Sequence, residues 1–497
     1  MTVRRTSRSP RLNYRLIVPV VSGTGLVVSL GLLACDAVAI AYGDGASVAF
    51  GLTALVLLPS SILGLVVGSR LPERPIKTRD GFLAVTLAWV AAALIGALPL
   101  LLHGTFDRPV DAFFESMSGF TTTGATLLGD IEAQPHAVLL WRSLMQWLGG
   151  VGIVVLVVAI APATGLASQR VFYAETSGVT TDRLTPRIAD TAKIIWGIYV
   201  ILTAACLVAY MLAGMGGFDA VNHALTTVAT GGFSTRTASI GAFDSLSIEL
   251  VAIGFMILGG VNFALYWQVL RNRRAAWPQL PELKAYLALI ALATLAVTVA
   301  LLFSQRGLDP ARALRDAAFA VSSVMTSTGY VTADFDEWGT FAGMVLLALM
   351  FVGGCAGSTA GGMKVIRVML LGKAATQEVQ RQLQPTAVQV LRFRGRVYGE
   401  DVRRGVLGFF YIYVTVFLAG TLVMSAFGLD AVTATSSVIA TLNIIGPGLG
   451  DIGATESYAV MPQGGLWCLI LLMLIGRLEV FTVLVLLVPA FWRRNVA

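Results

Sequence analysis

The sequence predicts an all-α polytopic membrane protein, with two N-terminal spans followed by four pseudo-repeats of span, half-helix and span around a central pore. Three observations lead there. Of the 497 residues, 56% are hydrophobic and only 13% charged, and the mean hydropathy is +0.78; a soluble chain of this length needs far more charge to cover its surface. Apolar runs of roughly 20 residues, the length a bilayer requires, recur along the chain. Between them lie four much shorter apolar segments, each opening on Asp-Ala and closing on a glycine-containing break.

The long runs fall near 15–41, 46–69, 82–102, 137–162, 193–214, 245–270, 284–303, 339–371, 405–427 and 464–491, about ten in all. They are continuously apolar rather than alternating, which argues against a β-barrel. The first is long enough to be a span itself, so no cleavable signal peptide is expected. Basic residues mark alternate loops. Arg4, Arg5, Arg8, Arg11 and Arg15 precede the first span; Arg70, Arg74, Lys77 and Arg79 follow the second. Arg170, Arg183, Arg187 and Lys193 follow the fourth, and Arg271, Arg273, Arg274 and Lys284 the sixth. The longest basic stretch runs from Lys364 to Arg404, and Arg493 and Arg494 close the chain. The positive-inside rule places these segments, and both termini, in the cytoplasm of a cell whose plasma (inner) membrane the chain crosses. The net charge of +7 therefore reads as topology, and nucleic acid is not an expected partner.

The opposite loops carry Asp107, Asp111, Asp130 and Glu132, then Asp334, Asp336 and Glu337, then Asp451 and Glu456. They form a solvated outer face that also concentrates cations at its mouth. Cys35, Cys206, Cys355 and Cys468 sit singly in apolar runs with no CxxC spacing. They read as small core residues, neither a disulfide framework nor a metal site.

The short segments are DAFFESMSGFTTTGA from Asp111, DAVNHALTTVATGGF from Asp219, DAAFAVSSVMTSTGY from Asp316 and DAVTATSSVIATLNIIGPG from Asp430. Each begins with an acid placed to cap a helix and runs for about three turns before its glycine. Helices this short cannot span, but they suit re-entrant pore helices. Two long runs accompany each segment, which makes a fourfold repeat. The division is 1–80 for a basic segment and two extra spans, then 81–165, 166–275, 276–400 and 401–497 for the repeats. After each half-helix the chain leaves helical geometry at membrane depth, tolerable only where backbone lines a water-filled cavity. Four such loops can converge on one axis, where inward carbonyls replace the hydration shell of a potassium ion. Glycine permits the φ/ψ values this needs, and a threonine hydroxyl serves either as a further ligand or as an anchor behind the loop. The half-helices add negative dipole ends that favour a cation.

The pattern resembles the Trk/Ktr/HKT superfamily of potassium uptake proteins, most closely the TrkH-type pore subunit. The residues carrying the likeness are GFTTTGAT at 119–126, TVATGGFSTR at 227–236, TSTGYVTADF at 326–335 and LNIIGPGLGDIG at 442–453, with GGCAGSTAGGMKVIR at 353–367 and GRLEVFTVLVL at 476–486. The resemblance implies a K+ selectivity filter at Thr122, Thr123 and Gly124, at Ala229, Thr230 and Gly231, at Ser327, Thr328 and Gly329, and at Asn443, Ile444, Ile445 and Gly446. Family members often carry a second asparagine where this chain has Ile444, so any role for that side chain is lost while its carbonyl remains. The fourth segment is also longer between aspartate and glycine. Counting from Asp430 aligns Asn443 with the other glycines, whereas the GPG motif aligns Gly446. Gly446 is preferred, because Pro447 fixes the turn that follows. Four unequal loops predict weaker selectivity over sodium than a tetrameric channel has.

The run GGCAGSTAGG at 353–362 has two readings. Small residues favour close helix packing, but each glycine costs a helix about 1 kcal/mol. The resemblance implies an intramembrane gating loop built from Gly353, Gly354, Gly357, Ser358, Gly361 and Gly362. Arg477, deep in the last span, either pairs with Glu479 or faces the pore below the filter; the pore-facing reading is preferred. Lys364 and Arg367 are expected to snorkel toward the cytoplasm. The polar stretch 371–404 is a solvated linker or a docking surface. The resemblance implies that a cytosolic nucleotide-binding ring (TrkA-type) docks there, and that the chain is a homodimer. This chain has no phosphate-binding glycine motif of its own, and no organic cofactor is expected, only K+ as transported ion with Rb+ also permeant.

Three function classes compete. A gated pore needs no energy beyond the membrane potential, about 2.3 kcal/mol per charge per 100 mV. A proton- or sodium-coupled symporter is the alternative, but transporters of that kind usually bind between inverted repeats, and these four share one orientation. An intramembrane enzyme fits poorly: the histidines are His103, His136 and His223, without HExxH or a Ser/His/Asp set, and His223 reads as a packed polar residue.

Overall fold

The computed structural model describes residues 12–72, 78–160, 188–271, 281–304, 307–384, 391–393, 396–398 and 400–492. The calls on Arg4, Arg5, Arg8, Arg11, Arg74, Lys77, Arg170, Arg183, Arg187, Arg273, Arg274, Arg493 and Arg494 lie outside these residues.

The chain opens on an antiparallel pair, α1 (Tyr14–Tyr42) and α2 (Ser47–Arg70). Gly43 ends α1 in the left-handed region at φ 63°. The pair meets through small residues: added Cβ atoms would press Gly25 and Gly64 into Ser61 and Ser22, and Gly68 into Pro19. Such close approach drives helix association in lipid, where apolar side chains gain little by meeting one another. Large apolar residues accordingly face outward, among them Val48, Leu212 and Phe303 at 79%, 84% and 82% exposed.

Four repeats follow. In the first, α3 (Thr78–His103) and α5 (His136–Ile160) flank the half-helix α4 (Pro109–Phe120). In the second, α6 (Ile188–Leu212) and the pair α8 (Leu246–Gly259) and α9 (Phe263–Arg271) flank α7 (Gly217–Val228). In the third, α10 (Pro281–Ser304) and α12 (Thr340–Met350) flank α11 (Pro310–Met325). The helix α13 (Val365–Leu383) and a hairpin of β1 (Leu391–Phe393) and β2 (Arg396–Tyr398) lead to the fourth. There α14 (Glu400–Ala426) and the pair α16 (Gln463–Arg477) and α17 (Phe481–Leu487) flank α15 (Ala431–Leu442), and α18 (Pro489–Trp492) follows.

Among the described residues six helices are long and apolar enough to cross a membrane, or seven if α8 and α9, bent by 89°, count as one. The expected runs at 339–371 and 464–491 are not single spans. The first breaks after Met350, and the second at Glu479 and Val480, which have φ of 55° and 61°.

The half-helices have 12, 12, 16 and 12 residues; a dodecamer rises about 18 Å, well short of a ~30 Å hydrocarbon core. The four aspartates do not share the capping role expected of them. Asp430 does cap α15, accepting from the backbone of Val432 and Thr433. Asp111 and Asp219 lie in the first turns of α4 and α7 without a capping bond. In α11 the cap is Asp309, and Asp316 lies about two turns further in. Asp430 thus sits at the N-cap where Asp111 and Asp219 sit at the third helical position, which accounts for the extra length of the fourth segment.

Candidate functional site

All four half-helices end in one backbone arrangement. The second residue past each helix donates to the carbonyl three back, and the third to the carbonyl five back. These bonds run Thr122 to Gly119 (3.0 Å) and Thr123 to Ser118 (2.9 Å), then Thr230 to Thr227 and Gly231 to Thr226. Ser327 to Val324 and Thr328 to Ser323, then Ile444 to Thr441 and Ile445 to Ala440, repeat them. This is a Schellman closure, whose left-handed residue is usually glycine. Here it is Thr122, Thr230, Ser327 and Ile444, at φ of 58°, 51°, 54° and 60°. Each costs roughly 1–2 kcal/mol in strain, and such strain persists where the surroundings hold it, most often at functional sites. Two residues later comes a glycine: Gly124, Gly232, Gly329 and Gly446 have φ of 81°, 82°, 79° and 96°.

The triplets are therefore 122–124, 230–232, 327–329 and 444–446. Gly446 matches Gly124 and Gly329, as the GPG motif indicates. In the second loop Gly232, rather than Gly231, takes this position. Ala229 and Asn443 fall one residue before the triplets, at the helix C-caps. A Gly-Gly pair fits the spacing either way, and only the sign of φ separates the two choices.

The loops touch in cyclic order. A Cβ on Gly124 would overlap the carbonyl oxygen of Gly231, one on Gly232 that of Thr328, and one on Gly329 that of Ile445. A Cβ on Gly446 would come within 2.7 Å of the oxygen of Thr123, which closes the circle. The ring is held from behind. Thr121 and Thr123 share a hydrogen bond of 2.7 Å, as do Thr326 and Thr328, so these hydroxyls anchor the loops. Tyr458 donates to Gly446 O (2.6 Å), and Tyr413 to Asn443 Oδ1 (2.7 Å). The Asn443 side chain thus serves as a strut. Glu115 and Arg142 form a buried ion pair at 2.8 Å. The carboxylate also accepts from Thr126 and Leu127, and the guanidinium reaches Ser234 O. With its hydrogen bonds met in this way, the pair fixes the register of the first two loops. His223 is packed as expected, between Asp219 O (2.8 Å) and Ser234 Oγ (2.9 Å).

On one side the ring opens into a cavity of about 220 Å³ floored by the four glycines and edged by Arg236 and Glu456. Beside it the turn Phe335–Trp338 presents Asp336, whose Oδ2 a Cβ on Gly453 would overlap. Burial, then the charge of Asp334, with Glu456 adding, pushes the Asp336 carboxyl up to about 6, against a backbone hydrogen bond from Gly450. The folded chain therefore binds a proton that the unfolded chain releases. Stability from this site is full below the unfolded value of 3.8 and is lost as the pH rises through about 6. Asp336→Asn is expected to raise the Tm of purified protein at about pH 7.5 and to leave it unchanged near pH 4, flattening the profile between.

On the other side lies the segment between Val352 and Met363. It is not helical, so the close-packed-helix reading gives way to a loop. A backbone bond from Gly353 to Met363 O (3.0 Å) closes its base, and Gly357 and Gly362 have positive φ. The loop reaches the second, third and fourth repeats. Thr359 donates to Val228 O and Gly259 O, Cys355 N–H to Gly260 O (2.9 Å), and Ala356 N–H to Glu282 (2.8 Å). The bonds to Gly259 O and Gly260 O satisfy carbonyls bared by the α8–α9 break, which lipid does not do. Gly361 N–H donates to Ser327 Oγ (2.5 Å), and a Cβ there would overlap Asn443 O.

Arg477, 1% exposed, joins loop and ring. It donates to Thr122 Oγ1 (2.7 Å), Gly149 O (2.8 Å) and Thr359 O (3.4 Å), with its Nε unbonded. Among the described residues none of its partners is a carboxylate. Glu479 pairs instead with Arg367 (3.2 Å), which lies 3.7 Å over the Phe409 ring. Lys364 and Arg367 are therefore buried, at 6% and 5% exposed, and do not snorkel; Lys364 bonds to Ala360 O. Sequence reasoning missed Gln146, Thr359, Glu282 and Tyr458, whose importance lies in partners far away along the chain.

These features define a helical membrane transport protein with four pore loops in one chain. The chain belongs to the TrkH family of cation transport proteins, whose family model matches residues 60–494; this is a transport family, not an enzyme family. It is 40% identical over 486 residues to the Trk system potassium uptake protein TrkH of Halomonas elongata, covering 97% of this chain and 100% of that one. The TrkH protein of Escherichia coli (strain K12) is 40% identical over 492 residues. The crystal structure of the potassium transporter TrkH from Vibrio parahaemolyticus matches with a TM-score of 0.88 at 40% identity, over 97% of this chain and 100% of that chain.

Proposed function

We propose that the chain carries potassium into the cell through the ring of four loops, with triplets 122–124, 230–232, 327–329 and 444–446 as the selectivity filter. The closed circle of glycine-to-carbonyl contacts carries this reading, because it gathers non-helical backbone from all four repeats at membrane depth. Carbonyls so gathered substitute for water around a cation. The relatives named for potassium uptake, similar over nearly the whole chain, supply the ion. Segment 353–362 and Arg477 act as the gate beneath the filter. The basic segments face the cytoplasm, with both termini, and the cavity with Glu456 faces outward. The stretch 371–404 receives a cytosolic TrkA-type regulatory subunit, the chain works as a homodimer, and the repeats divide at residues 80, 165, 275 and 400.

The test is uptake into proteoliposomes under an imposed inside-negative potential, with and without the regulatory subunit, comparing K+, Rb+ and Na+. Potential-driven uptake of K+ and Rb+ in preference to Na+ supports the pore. Uptake that appears only with a proton or sodium gradient favours the coupled symporter. Equal uptake of Na+ and K+ sinks the filter assignment.

A further inference from the structure

The second loop lacks the device that ties down the first and third. There, the threonine after the left-handed residue shares its hydroxyl with the threonine at the C-cap, in the pairs Thr123–Thr121 and Thr328–Thr326. In the second loop these positions are Gly231 and Ala229, so no hydroxyl pair exists. The vacant space is filled from another repeat. Gln146, on α5 and 0% exposed, sets its amide where a threonine side chain would stand: a Cβ on Gly231 would overlap Gln146 Cδ and Oε1 and lie 2.9 Å from Nε2.

That amide makes two bonds to the loop. Nε2 donates to the carbonyl of Gly231 at 2.5 Å, and Oε1 accepts from Phe233 N–H at 3.0 Å. The orientation is fixed by this pairing, because a flipped amide would oppose donor to donor. The carbonyl of Gly231 is one of the four in the ring. Among the described residues no N–H or O–H donates to the other three, those of Thr123, Thr328 and Ile445. The ring therefore offers three unengaged carbonyls and one whose lone pair is shared with an amide.

We propose that Gln146 is a positioning residue for ion preference: it anchors the second loop in place of the missing hydroxyl pair and weakens the field of one ring carbonyl. The proposal rests on the filter reading above. Selectivity among cations depends on the number and field strength of the coordinating dipoles. A weaker field favours the larger, more readily dehydrated K+ and Rb+ over Na+, so releasing this carbonyl moves the preference toward Na+.

The experiment is relative uptake of K+, Rb+ and Na+ into proteoliposomes by Gln146→Met, which is close in volume and has no donor. One hydrogen bond's net worth converts to roughly a three- to tenfold change, and the Na+ to K+ ratio is expected to rise by that much. A second variant separates field from scaffold. Gln146→Ala combined with Ala229→Thr and Gly231→Thr rebuilds the hydroxyl pair in the vacated space, and Gly231, outside the left-handed region, accepts threonine. This chain has its second loop anchored but its carbonyl undonated, so the shifted ratio persists. A wild-type ratio in either variant overturns the proposal, whereas the filter reading stands or falls separately on whether wild-type protein prefers K+ at all. If Gln146→Met does not fold, the rebuilt variant decides alone.

Discussion

Gly329→Ala should cost the protein most of its preference for potassium, at least tenfold in the K+ to Na+ uptake ratio. Two terms act together. Gly329 has φ of 79°, where an alanine is strained by roughly 1–2 kcal/mol. The new methyl would also overlap Ile445 O and lie 2.8 Å from Pro447 Cδ. Backbone is the obstacle, so the third and fourth loops must separate, and in a ring of mutual contacts that displaces every carbonyl. A loss of coordination worth about 1.4 kcal/mol already gives the tenfold change. Gly343→Ala is the matched control, because a Cβ on Gly343 meets nothing within 4 Å. Equal ion ratios in the two variants, measured in the same vesicles, would remove the ring from the filter role.

Arg477→Ala should raise potassium uptake measured without a regulatory subunit by an order of magnitude or more. A unit charge ~8 Å from a passing cation, at an effective dielectric of ~20, opposes it by about 2 kcal/mol. The same substitution strips a donor from Thr122, Thr359 and Gly149, so a lower Tm accompanies the faster leak. Arg477→Lys keeps the charge and loses the fork; it should stay near the wild-type rate while losing stability. Should Arg477→Ala fold and leak no faster than wild type, the arginine is a strut and the barrier lies elsewhere.

The half-helices, their order and the glycine-containing breaks that end them were legible because they depend on local sequence: a short helix of about three to four turns, a turn, a glycine. Gly446 could be placed from Pro447 alone. What escaped depended on where a residue sits in its turn or on distant partners. Asp316 looks like Asp430, but Asp309 and Pro310 start that helix earlier. Gly231 and Gly232 cannot be ordered without φ. Lys364 and Arg367 carry the signature of interfacial residues, but the acceptor Ala360 O and the carboxylate of Glu479, 112 positions from Arg367, hold them inside. Gln146 stands 85 positions from Gly231 in a run, WRSLMQWLGG, that reads as an ordinary span.

The cyclic contacts also bear on biogenesis. Gly446 meets Thr123 only when the fourth loop arrives, and Arg477 reaches Thr122 across 355 positions. A ribosome that has delivered three repeats has inserted three loops with no partner for Gly329 and no mate for Thr123. The ring is then unfinished, and it becomes complete only when the fourth loop and α16, which carries Arg477, have entered the bilayer.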